Sequence, residues 1–148
     1  MKNNYLYILL TVTLIYSCSS GPDRPVNNPL FDDGYFVTNE GNFGSGNGSV
    51  SFISNNGSVQ NDVFYNTNMF YLGDVVQSMT VANNKGYIVV NNSGKVVVVD
   101  IDSMNHIKTI ENVGSPRYFT QVTQDKAYLS DWNSNAVHII DLTTDNVV

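Results

Sequence analysis

The chain has 148 residues, with seven Lys and Arg against thirteen Asp and Glu, for a formal net charge of −6. The cations are scattered singly, so no basic stripe exists to neutralise a phosphate backbone, and nucleic acid is excluded as a partner. Charged residues are only 14% of the chain while Asn, Ser, Gly and Tyr abound, a balance that fits a turn-rich β protein with helices nearly absent.

The first 17 residues read as a signal peptide. Met1-Lys2 supplies a positive charge, and YLYILLTVTLIY (5–16) is a short apolar run, below the roughly 20 apolar residues that span a bilayer. Cys18 follows Ser17 and is the only cysteine, which rules out a disulfide framework. The run Ile15-Tyr16-Ser17-Cys18 resembles a bacterial lipobox. The resemblance implies cleavage before Cys18 and lipidation of its thiol, and so a lipid anchor in the outer membrane, facing the cell surface or the periplasm. Residues 18–34 contain three of the four prolines and read as a tether between anchor and folded part.

From residue 35 the chain repeats itself. GYIVVNNSGKVVVVD (86–100) aligns without gaps to AYLSDWNSNAVHIID (127–141), matching Tyr87 to Tyr128 and Asp100 to Asp141 at a period of 41 residues. YFVTNEGNFGSGNGSVSFIS (35–54) is an earlier copy, with Phe36 in the tyrosine position and Ser54 in the aspartate position, 51 residues before the next. The repeats fall at about 35–76, 77–116 and 117–148.

The middle repeat predicts four strands, 77–82, 86–91, 95–101 and 106–110, separated by NNKG, NSGK and DSMN turns. Tyr87 to Val90 and Val96 to Val99 are apolar on both faces, so the sheet must be covered on both sides. Four strands per 40 to 45 residues with both faces buried are the signature of β-propeller blades. The fold class is therefore all-β, with four-stranded antiparallel propeller blades. About two and a half units are present, fewer than a ring needs to close, so the expectation is a fragment of a larger propeller.

The motifs FVTNEGNFGSGNGSVSFI, LGDVVQSMTVANNKGYIVVNNSGKVVVVD and GSPRYFTQVTQDKAYLSDWNSNAVHIIDLTT resemble the YncE-like, seven-bladed β-propeller lipoproteins of gut Bacteroidetes. The resemblance runs over residues 34–148. It implies a surface lipoprotein that captures a ligand without catalysis or a cofactor. A corrinoid such as vitamin B12 is the most concrete ligand implied, with a TonB-dependent outer-membrane transporter as partner. A fold alone does not fix function, and a scaffold that docks a protein or glycan is the alternative.

The longer spacing of the first repeat locates the expected binding face. Five extra residues lie around GNFGSG and five more around NTNMFYLGD (66–74). In an antiparallel blade the loop between strands two and three and the loop entering the next blade lie at one end, so both insertions are expected to enlarge one face. Candidate ligand-binding residues there are Asn42, Phe43, Phe70, Tyr71, Asp74, Gln77, Asn91, Asn92, Arg117, Tyr118, Asp131, Trp132 and Asn133. Amides and aromatics suit a large neutral ligand. The same Asn, Gly and Asp types also serve hairpin turns without touching any ligand.

Sharper motifs fail. GNFGSGNG precedes a strand, whereas nucleotide loops need a following helix. His106 and His138 have no second ligand at metal spacing, and both are expected away from the enlarged face. No Ser-His-Asp site can be placed. A channel cation on Glu40, Asn91 and Asp131, as in lactonase-type propellers, is the remaining catalytic alternative.

Overall fold

The computed structural model describes residues 30–148. Cys18, the signal segment and most of the tether lie outside the described residues. Three antiparallel sheets follow one another along the chain. The first contains β1 (Gly34–Asn39), β2 (Ser49–Ser54) and β3 (Val59–Gln60). The second contains β4 (Val76–Ala82), β5 (Lys85–Val90), β6 (Lys95–Asp100) and β7 (His106–Ile110). The third contains β8 (Pro116–Gln121), β9 (Lys126–Asp131), β10 (Val137–Asp141) and β11 (Asn146–Val147).

Strands are neighbours in chain order within every sheet. The sheets pack in sequence, β1 on β4 and then β4 and β5 on β8. The fold is all-β, built from propeller-like antiparallel blades.

Turn chemistry sets the registers. Asn83 and Asn84 join β4 to β5 with φ of 49° and 60°, the left-handed pair that a two-residue hairpin matching strand twist requires. The aspartate that recurs at the end of the third strand is a turn residue. Asp100 Oδ1 accepts hydrogen bonds from Ser103 N and Oγ at 2.9 and 2.6 Å, and Asp141 Oδ1 accepts from Thr143 N at 2.7 Å. Such local bonds compete with strand pairing and so end the strand.

The doubly apolar strands of the middle repeat divide by parity, as the two-residue period of a strand dictates. Ile88, Val90, Val97 and Val99 join the core shared with the first sheet. Tyr87, Val89, Val96 and Val98 join the core shared with the third. Each such side chain taken fully out of water contributes about 1.5–3 kcal/mol, so the middle sheet couples its two neighbours.

The two cores differ in one pairing. Tyr87 stacks on Phe119, centroids 4.3 Å apart and planes 11° from parallel, and its hydroxyl donates to Asp145 Oδ1 at 2.7 Å. Lys85 Nζ holds the other Asp145 oxygen at 2.6 Å. Burial first, and then the Asp145 carboxylate, push the Tyr87 phenol above its ordinary range. In the first repeat Phe36 stands in the Tyr87 place and packs against a core containing Met104. Met104 precedes Asp145 by one period of 41 residues, and both are left-handed, with φ of 62° and 52°.

A helix, α1 (Val63–Asn68), follows the two-residue β3. It buries Val63 and Phe64 in the first core beside Phe52, Leu72 and Met104. Asn68 fixes its end: Nδ2 donates to Phe64 O and Met104 O, both at 2.9 Å, and Oδ1 accepts from His106 N at 2.8 Å. The first repeat thus has a two-residue edge strand followed by a helix where the second has the five-residue β7.

Candidate binding groove

One end of the stack carries the loop Glu40–Gly48, the short 3-10 turn Asn91–Ser93 between β5 and β6, and the turn that joins β9 to β10. The long first loop is pinned. Gly41 has φ of 77° and a Cβ there would strike Asn47, so only glycine fits without strain. Asn47 Oδ1 accepts from Asn42 N at 2.8 Å, Asp74 Oδ2 accepts from Gly44 N at 2.8 Å, and Gly48 N donates to Gly73 O at 3.0 Å. The loop is therefore tied to the segment entering β4.

Between these loops lies a groove of about 400 Å³, lined by Glu40, Gly41, Phe43, Val75, Gln77, Asn91, Arg117 and Trp132. Three of them are equivalent positions. Glu40, Asn91 and Trp132 stand 51 and 41 residues apart, each directly following one of the aligned strands β1, β5 and β9. Gln77 and Arg117 form a second equivalent pair. Each sits at a register shift near the start of its strand, between Val76 and Ser78 and between Pro116 and Phe119, and such bulges re-aim side chains. All three repeats contribute.

Arg117 lies over the Trp132 ring, its guanidinium carbon 4.5 Å from the centroid, a cation–π contact. Gln77 Nε2 donates to Glu40 Oε1 at 3.3 Å. Asn91 Nδ2 donates to Pro116 O at 2.9 Å and Ser78 Oγ to Arg117 O at 2.7 Å, so hydrogen bonds across the sheet boundary fix the groove floor. Phe43 and Trp132 are 80% and 72% exposed.

Five of the thirteen candidates, Phe43, Gln77, Asn91, Arg117 and Trp132, thus meet in one groove. Asn42 sits on the same loop with its backbone N–H held by Asn47. Asp74 and Asn92 bind each other instead, Asn92 Nδ2 donating to Asp74 Oδ2 at 2.5 Å. The Asn92 amide, followed by the Gly44 N–H, holds the Asp74 carboxyl below the usual range against the opposing effect of burial. Asp131 is likewise engaged. Its Oδ1 accepts from Ser115 N at 3.0 Å and Asn133 N at 2.8 Å, and its Oδ2 meets His138 Nε2 at 3.1 Å. Burial would raise the Asp131 carboxyl, but the His138 ring and the two N–H groups hold it low. Gly114, with φ of 66°, lies so close that a Cβ would strike this carboxylate.

Phe70 and Tyr71 sit outside the groove. Phe70 packs edge-on against Phe64 and His106, and His106 faces Val99 at the far end of β6. Tyr71 stacks on Tyr65. The second insertion therefore reaches the enlarged face through Gly73, Asp74 and Val75, because its first part belongs to α1 and Phe70 packs back on Phe64 and His106. Tyr118 is exposed on β8, its N–H bonded to Ser130 Oγ at 3.1 Å. His138, expected away from this face, is brought to it by Asp131.

Glu40 and Asn91 line the groove while Asp131 is turned into its own turn. Among the described residues no three His, Cys, Asp or Glu side chains are grouped to hold a metal ion.

No curated protein matches the chain. Among solved structures, hydrazine synthase of Kuenenia stuttgartiensis is similar in fold, with a TM-score of 0.63 at 19% identity over 90% of this chain. The match spans 38% of the length of that chain. At this identity the likeness concerns the propeller-like fold alone. Residues 33–148 match the model described as "Domain of unknown function (DUF5074)", and the chain belongs to that family.

Proposed function

We propose that this protein is a non-catalytic binding module, lipid-anchored through Cys18 at the outer-membrane surface, that captures a large, largely neutral ligand. The observation that carries this reading is the groove built from equivalent positions of three repeats, with Phe43 and Trp132 exposed at its rim and Arg117 braced on Trp132. Exposed aromatics offer flat apolar area, and the Gln77 and Asn91 amides and the Arg117 guanidinium offer directional bonds. A fold of propeller-like blades is compatible with a binding scaffold of this kind.

A corrinoid is the most concrete ligand, with a TonB-dependent transporter receiving it, as the YncE-like resemblance implies. Such a molecule overfills a groove of about 400 Å³, so one face would seat between Phe43 and Trp132 while the rest stays accessible to the transporter. Calorimetric titration of the protein with cyanocobalamin tests this. Heat of binding together with a rise in melting temperature is the expected result. Neither heat nor a shift at saturating vitamin removes the corrinoid. Retention of a protein or glycan from outer-membrane extracts without added vitamin would instead support the docking scaffold.

A further inference from the structure

A second cavity, of about 380 Å³, lies in the first repeat between the start of β2 and α1. It shares no residue with the groove. We propose that it is a saccharide-binding site, with Tyr71 as the stacking platform for a pyranose ring and Asp62, Asn47 and Asn66 as hydrogen-bonding partners for its hydroxyls.

The platform is preformed. Tyr65 and Tyr71 stack with centroids 4.5 Å apart and planes 21° from parallel, so one ring braces the other. Tyr71 is nevertheless 64% exposed, while Leu72 beneath it is buried. A rigid, exposed aromatic beside polar groups loses little conformational freedom on binding and gains apolar burial against the C–H face of a sugar.

The polar groups suit hydroxyls. Asp62 begins α1 in the left-handed conformation, φ 54°, and its carboxylate makes no capping bond to the helix. It is free to accept from two adjacent hydroxyls. Asn47 accepts the Asn42 N–H with its carbonyl, which leaves its NH2 as donor. Asn66 donates its NH2 to Asn61 O, which leaves its carbonyl as acceptor. The site thus offers both donors and acceptors, as a hydroxyl requires.

The lining contains no Lys or Arg, which argues against an anionic ligand. A quaternary ammonium needs several rings arranged as a cage. Here the two rings stack on each other and present one flat face. The volume falls in the range of small-ligand pockets. The helix that builds the site occurs in the first repeat alone among the described residues, and such local elaboration is where binding residues concentrate.

The test uses the full chain and saturation-transfer NMR with methyl glycosides of glucose, galactose, mannose and N-acetylglucosamine. At least one should receive transfer to its ring protons. Tyr71→Ala should weaken that binding about tenfold or more, Tyr71→Phe should preserve it, and Trp132→Ala in the groove should leave it unchanged. Transfer to none of the four, transfer that survives Tyr71→Ala, or binding of choline in their place would overturn the assignment. Tyr71 is exposed, so unchanged unfolding midpoints should accompany both tyrosine variants. The result is independent of cyanocobalamin binding, which is read at Trp132.

Discussion

The two ends of the boundary between the second and third sheets use polar residues in opposite ways. At one end Asp145 accepts both the Tyr87 hydroxyl and the Lys85 ammonium, is 4% exposed, and has nothing left for a ligand. At the other end Arg117 and Trp132 lean on each other and still face an open groove. The lesson is that polar residues at a blade boundary must be sorted by what already satisfies them. Those satisfied within the protein hold sheets together, and those left facing solvent are available for recognition.

The sharpest way to break the locked end is to place its chemistry at the other boundary. Met104→Asp puts a carboxylate in the fully buried position equivalent to Asp145, in the core against which Phe36 packs, with neither hydroxyl nor ammonium to meet it. A loss of about 3–5 kcal/mol is expected, read as a fall in the urea midpoint. Adding Phe36→Tyr should recover part of that loss, and no recovery would mean that the tyrosine–aspartate pairing does not carry over between boundaries.

Asp145→Ala, which strands the Tyr87 hydroxyl in the core, should cost about 2–3 kcal/mol. Tyr87→Phe keeps the ring stacked on Phe119 and the Lys85 partner in place, so about 1 kcal/mol is expected. A larger loss for Tyr87→Phe than for Asp145→Ala would reverse the assignment of Asp145 as the hub.

The groove end was partly legible in the sequence. Phe43, Gln77, Asn91, Arg117 and Trp132 were accessible because loop enlargement and strand alignment place them at one end. Glu40, Asn91 and Trp132 also fall in one column of the repeat alignment, a signal that identifies the groove more directly than residue type does. Asp74 and Asp131 show the limit. A carboxylate in a loop looks the same in sequence whether it awaits a ligand or accepts the N–H groups of Gly44, Ser115 and Asn133. The strands of the middle repeat were read from apolar residues on both faces. Helix α1 escaped because VFYNTN is only six residues long and presents neither a sustained helical nor an alternating pattern.

The carboxylates that shape the groove end give it a pH signature. Asp74 and Asp131 both have folded pKa values below their ordinary value. Their stabilisation is therefore complete above an unfolded pKa of about 3.9 and is lost as pH falls through the lower folded values. Stability should be insensitive to these two groups from pH 7 to 5 and should drop below about pH 4. Asp131→Asn should flatten that acid limb, and an unchanged limb would show that Asp131 does not contribute to it.

The smallest expected change in stability belongs to Trp132→Ala, which removes an exposed ring from the groove rim and should move the unfolding free energy by no more than about 0.5 kcal/mol. Trp132 is the only tryptophan in the chain, so its emission reports on the groove alone. The most direct test follows that emission while cyanocobalamin is titrated in, with free tryptophan at equal absorbance as the inner-filter control. A saturable change in Trp132 emission whose midpoint matches the calorimetric affinity is expected, with loss of that affinity in Trp132→Ala. Calorimetric binding with unaltered emission, or undiminished affinity in Trp132→Ala, would contradict the groove as the ligand site.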